Sequence, residues 1–127
     1  MFVRIVRRAA PPKIVLTRVT HHATFGMVDR YLRILDVELT HGPVEIFHDW
    51  AGVTGYDTEA RRRITAWGST RGQAITQVHV LLGSKLLAMG ISMATVALGR
   101  DFAVHYDRVR WEASLAALLP DYRARLL

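Results

Sequence analysis

From Lys13 to Pro120 the sequence switches its hydrophobic period repeatedly, β-rich apolar runs alternating with segments whose apolar residues recur every three or four positions. That alternation narrows the folds open to the chain. Strands separated by helix-length crossovers pair in parallel, and their helices must cover the sheet faces. Strands are predicted at Lys13–Val19, Val44–Trp50, Ile75–Leu82 and Asp101–Tyr106. A further strand, Phe2–Arg8, precedes them across the turn Ala9-Ala-Pro-Pro12, because proline cannot continue a ladder. Arg4, Arg7 and Arg8 fit an edge strand, where charge discourages further pairing.

Four helices are predicted between and after these strands. The first spans Thr24 to His41, with Phe25, Val28, Leu32, Leu35 and Leu39 on one stripe and Asp29 one turn before Arg33 on the other side. Gly42-Pro43 stops it. Ala51 to Tyr56 reads as a loop. Asp57 reads as the N-cap of a second helix running to Ser69, with Ala60, Ile64 and Trp67 inward. Ser84 is placed to cap a third, Lys85–Leu98, and Asp107 a fourth, with Trp111, Leu115 and Leu118 inward up to Pro120. The expected fold is one α/β domain over residues 1–127: a mostly parallel sheet of five strands with an antiparallel N-terminal strand, and four helices.

The composition excludes several classes. Half of the 127 residues are apolar, enough for a core without staples. Cysteine is absent, which rules out disulfides and thiol chemistry and suits a reducing compartment. The first residues, MFVRIVRRAAPPK, lack the apolar core of a signal peptide, so a cytoplasmic location is expected. Leu81–Gly99 reaches the length of a membrane span, but Lys85 and three glycines interrupt it, and it reads as a buried strand followed by a buried helix. The formal charge is +6, with fifteen arginines and two lysines. The charge is scattered along the chain, which argues against nucleic acid as partner.

The passages IFHDWAGVTGYDTEARRRITAW (Ile46–Trp67) and VHVLLGSKLLAMGISMATVALG (Val78–Gly99), set in this element order, resemble the SpoIIAA-like branch of the STAS superfamily. That group includes anti-sigma-factor antagonists and SEC14-related lipid-binding domains. The antagonists carry a phosphorylatable serine in an Asp-Ser-Ser-Gly-like motif at the start of the second helix. The matching residues here are Asp57-Thr58-Glu59-Ala60, so the resemblance implies Thr58 as candidate phosphoacceptor, while the second serine and the glycine are missing. A helix N-terminus welcomes phosphate, whereas Glu59 opposes added negative charge.

Other candidate chemistry is sparse. His48-Asp49, at a strand end, is the one histidine–carboxylate neighbour pair that suggests acid–base work, without a nucleophile tied to it. His21-His22 suit a turn before a helix. No zinc-ligand spacing and no glycine-rich phosphate loop occurs, so neither metal nor cofactor is expected. Ligands on parallel sheets collect beyond the C-terminal strand ends, which makes Trp50, Ser84 and Tyr106 candidate pocket residues for a small anion or lipid headgroup. The predicted helix Lys85–Leu98 carries two apolar stripes. One is Leu87, Gly90, Ile91, Ala94 and Leu98; the other is Leu86, Met89, Met93 and Val96. A helix apolar nearly all round needs two covers, and methionine adapts to partners, so the second stripe is the expected interface with a protein partner or a second copy. The reading that follows is a non-enzymatic regulatory domain working by protein–protein contact, with a small-ligand or lipid-binding domain of the same fold as the alternative.

Overall fold

The computed structural model describes residues 1–71, 74–83 and 102–119. Its elements are β1 (Phe2–Val6), β2 (Lys13–Ala23), α1 (Phe25–Leu39), β3 (Val44–Tyr56), α2 (Thr58–Arg71), β4 (Ile75–Leu82), β5 (Phe102–His105) and α3 (Arg108–Leu118). The strands form one sheet in the order β1-β2-β3-β4-β5. The first pair is antiparallel and the other three are parallel. The expected mixed α/β sheet is therefore present, with three helices among the described residues. The third predicted helix, Lys85–Leu98, lies outside them.

Two successive crossovers in the same direction, β2-α1-β3 and β3-α2-β4, put both helices on one face when each is right-handed. The packing agrees. Val28, Tyr31, Leu32 and Leu35 of α1 and Ala60, Ile64 and Trp67 of α2 share a core with Val15, Val19, Ile46, Trp50, Val78 and Val80 of the sheet. Polar clamps tie the two helices together: Arg63 reaches from α2 to Asp29 at 3.0 Å, and Trp67 Nε1 donates to Asp36 at 2.8 Å. The anticipated Asp29–Arg33 pair forms on α1 at 2.7 Å. Returning after β5, α3 covers the opposite face, where Trp111 and Leu115 pack on Ile14, Leu16, Phe47 and Leu81. Asp107 caps that helix, accepting the Val109 N–H at 2.9 Å.

Several boundaries differ from the sequence reading. Strand β1 stops at Val6, so Arg4 lies on the edge strand while Arg7 and Arg8 fall beyond it. Phe25 does not join the buried stripe. It stands in the first turn of α1 and is exposed, and Tyr31 fills the core instead. Both β2 and β3 are longer than predicted. The supposed turn at His21-His22 and the supposed loop Ala51–Tyr56 pair with each other as strand, from Thr20↔Gly52 to Ala23↔Tyr56. Pairing satisfies backbone groups that a loop would leave to water. At the strand end, Gly83 runs so close to β3 that a Cβ there would meet the Ala51 carbonyl oxygen at 2.9 Å.

Candidate functional site

Strand β4 ends at Leu82, opposite Trp50 of β3. Past that point, among the described residues, β3 pairs only with β2, and the two continue as a ribbon to Ala23 and Tyr56. Two register shifts and a left-handed His21, at φ 63°, bend the ribbon. Helices α1 and α2 both start at its tip. The backbone joins them there, with the Asp57 N–H donating to Ala23 O at 3.0 Å and the Asp57 carbonyl accepting Arg61 N–H at 3.2 Å.

The Asp57 side chain serves the neighbouring helix. Its Oδ2 accepts the Phe25 N–H at 2.9 Å, at the start of α1, and its Oδ1 accepts His22 Nε2–H at 2.7 Å. The His22 hydrogen bond, with the Phe25 N–H second, holds the Asp57 carboxyl below the usual carboxylate range. Gly55 gives the imidazole its room, since a Cβ there would approach His22 Nδ1 to 3.2 Å. Thr58 follows at once. It is exposed and opens α2, beside a Glu59–Arg62 ion pair on the same turn. A hydroxyl on a fixed, exposed helix start can be recognised by a partner or take a phosphate, and Arg62 offsets part of the charge of Glu59.

The candidate pocket residues are placed as follows. Trp50 is 5% exposed and lies on the α1 side of the sheet, with ring centroids 5.0 Å from His48 and 6.4 Å from Tyr31. Its Nε1–H is buried without a hydrogen-bond partner among the described residues. Tyr106 follows β5 and is exposed. Ser84 lies outside the described residues, as does the whole predicted interface stripe of Leu86, Met89, Met93 and Val96.

The His48–Asp49 acid–base pair does not exist. Neighbours on a strand face opposite sides. His48 points to the α1 side, where it contacts the Thr17 hydroxyl through Nδ1, and burial pushes its pKa down to about 3. Asp49 points to the α3 side, 1% exposed, and receives both terminal nitrogens of Arg108 at 2.9 and 3.1 Å. One is a neutral core imidazole and the other a structural ion pair. His79 is likewise structural: its Nε2 bonds Glu45 at 2.7 Å, and its ring stacks on Phe47 at 4.1 Å. Among the described residues no three metal-ligating side chains cluster, and no helix is long and apolar enough to cross a membrane.

Sequence reasoning missed the His22–Asp57 clamp. Asp57 was expected to cap its own helix, and nothing local links residues thirty-five positions apart. The alternation of the His22 strand with the β3 end was the one available signal, and the glycines of β3 hid it by reading as loop.

No protein-family model matches the chain, and no curated protein matches it in sequence. In structure it is similar to an uncharacterized protein of the DUF3478 family with a SpoIIAA-like fold, from Shewanella loihica PV-4. The TM-score is 0.68 and the identity 14%, over 90% of this chain and 92% of that one. The fold of this chain is therefore SpoIIAA-like.

Proposed function

We propose that this chain is a non-enzymatic regulatory domain acting through protein–protein contact at the start of α2. The observation that carries the reading is the clamp at the ribbon tip. Asp57 ties His22 and the α1 start to the α2 start, so that Thr58 and the following turn are presented in one fixed geometry. Preorganised surfaces bind without the cost of ordering a loop. In the SpoIIAA-like pattern Thr58 stands at the phosphoacceptor position, and phosphorylation there is part of the proposal. A photo-crosslinking residue at Thr58, in cells expressing the chain from its own locus, is expected to give a discrete protein adduct. The same probe at Val37, exposed on α1, is expected to give none. Equal adducts at both positions, or none at Thr58, would rule the surface out.

A second reading is favoured by the buried Trp50 Nε1–H, which has no hydrogen-bond partner among the described residues. An N–H left without a partner costs about 1–3 kcal/mol, which a ligand acceptor atom would recover. In this reading Trp50, Ser84 and Tyr106 serve a small anionic or lipid ligand at the strand ends. Native mass spectrometry of gently purified protein is expected to show a retained mass that Trp50→Phe loses. The bare chain mass alone, at every collision energy, would remove this reading.

A further inference from the structure

At the other end of the sheet, where β2 and β3 begin, lies an open groove of about 470 Å³ lined by Arg7, Arg8, Pro11, Lys13, His41 and Pro43. None of these lining residues is acidic. Among the described residues one carboxylate lies beside them. Glu38, on the last turn of α1, is buried, and its Oε1 takes Lys13 Nζ at 3.1 Å and Arg7 Nη2 at 3.6 Å. Three permanent cations thus stand against one carboxylate. Lys13 is also held by the Glu38 carbonyl at 3.0 Å, and Arg8 by the Pro12 carbonyl at 3.3 Å. These carbonyl contacts hold the charged ends in place without neutralising them. Among the described residues Arg8 has no acidic partner, and the Arg7 guanidinium is 71% exposed. The volume matches a small-molecule site rather than a single bare ion.

We propose that this groove binds a phosphorylated small molecule or headgroup, with the Arg7 and Arg8 guanidiniums gripping the phosphate oxygens and Lys13 adding a fixed positive charge behind them. Planar guanidinium forks match phosphate geometry in pairs of hydrogen bonds. Like-charged neighbours crowded on one concave surface gain most when an anion enters between them. The helix end pointing here is the negative one, so the side chains must supply the attraction, and they outnumber the carboxylate. The site is separate from the α2 start, since β2 and β3 run in parallel from one end to the other.

Calorimetric titration with inorganic pyrophosphate at about 0.15 M salt tests the proposal. Binding with a dissociation constant below about 1 mM is expected. The double variant Arg7→Gln/Arg8→Gln is expected to weaken it by at least about tenfold. Both residues lie beyond β1, so the substitution spares the core, and a matching circular dichroism melt checks this. Arg30→Gln/Arg110→Gln, exposed on α1 and α3, is the charge control and is expected to bind as the unaltered chain does. Flotation with phosphatidylcholine vesicles containing phosphatidic acid separates the sources: binding to vesicles alone, lost in the Arg7/Arg8 variant, assigns a headgroup. Binding to neither probe, or equal weakening by both double variants, would overturn the proposal.

Discussion

Replacing Trp111 with alanine is expected to lower the stability of the chain by about 3–5 kcal/mol. Trp111 is fully buried, and on α3 only Leu115 shares that status. Those two side chains are what seat the helix on its face of the sheet. The indole ring meets Phe47 edge-on at 5.9 Å, and its Nε1–H donates to the His79 carbonyl at 3.2 Å. Truncation therefore removes a large apolar surface, opens a cavity above Phe47 and loses a hydrogen bond inside the sheet. Chemical denaturation checks it. With a slope of about 1–3 kcal/mol/M in urea, the midpoint falls by about 1 M or more at unchanged slope. Trp111→Phe keeps most of the packing and is expected to cost about half as much. A loss under about 1 kcal/mol in the alanine variant would mean that α3 does not hold this face.

The same residue shows what the sequence made legible. Trp111 and Leu115 recur at helical spacing behind the Asp107 cap, so their burial followed from period alone. So did Ala60, Ile64 and Trp67 of α2, all three of which are buried. Among the described residues element order was legible too, because β-rich apolar runs of strand length alternate with period-3.6 segments of helix length. The antiparallel entry strand followed from the short proline turn. Trp67 and Trp111 differ only in their polar ends, and there the sequence was silent. One indole donates to Asp36 on another helix, and the other to a strand carbonyl.

What stayed hidden depends on long-range pairing. Asp49 meets Arg108 fifty-nine residues away, and Glu45 meets His79 thirty-four away. Neither pairing has a local signature, because the β3–β4 pairing brings His79 to Glu45 and the docking of α3 brings Arg108 to Asp49. The register also undid the one catalytic suggestion. His48 and Asp49 are adjacent in sequence, yet the pleat puts the sheet between their side chains. At the ribbon, glycine misled. Gly52 and Gly55 mark a loop in most sequences, but here they let Thr20 and His22 pack against β3. The candidate site at Thr58 was thus legible as a position, while the clamp that fixes it was not.

Between pH 7 and pH 5 the chain is expected to lose about 2 kcal/mol of stability through His48 alone. The ring is 8% exposed, beside Tyr31 and Trp50, and among the described residues its one polar contact is the Thr17 hydroxyl. Among the described residues no carboxylate stands near to support an imidazolium, and burial drives the pKa down from 6.5 to about 3. In that interval the unfolded chain binds a proton that the folded chain refuses. Stability therefore falls as pH falls, by up to about 1.4 kcal/mol per unit. The contribution is complete above 6.5, and its loss continues until the folded ring itself titrates near 3. His105 acts in the same direction, its pKa lowered first by burial and then by His79 and Arg110. Asp57, lowered by its His22 and Phe25 contacts, adds a loss only at pH values below its ordinary 3.8. Urea titrations at pH 7, 6 and 5 on the unaltered chain, His48→Gln and His105→Gln separate the contributions. Because slopes against pH are compared, the fixed cost of each substitution cancels. The His48→Gln slope is expected to be the shallowest of the three. Parallel slopes for that variant and the unaltered chain would mean that His48 binds its proton alike in both states, and that the core around Tyr31 and Trp50 admits the charge.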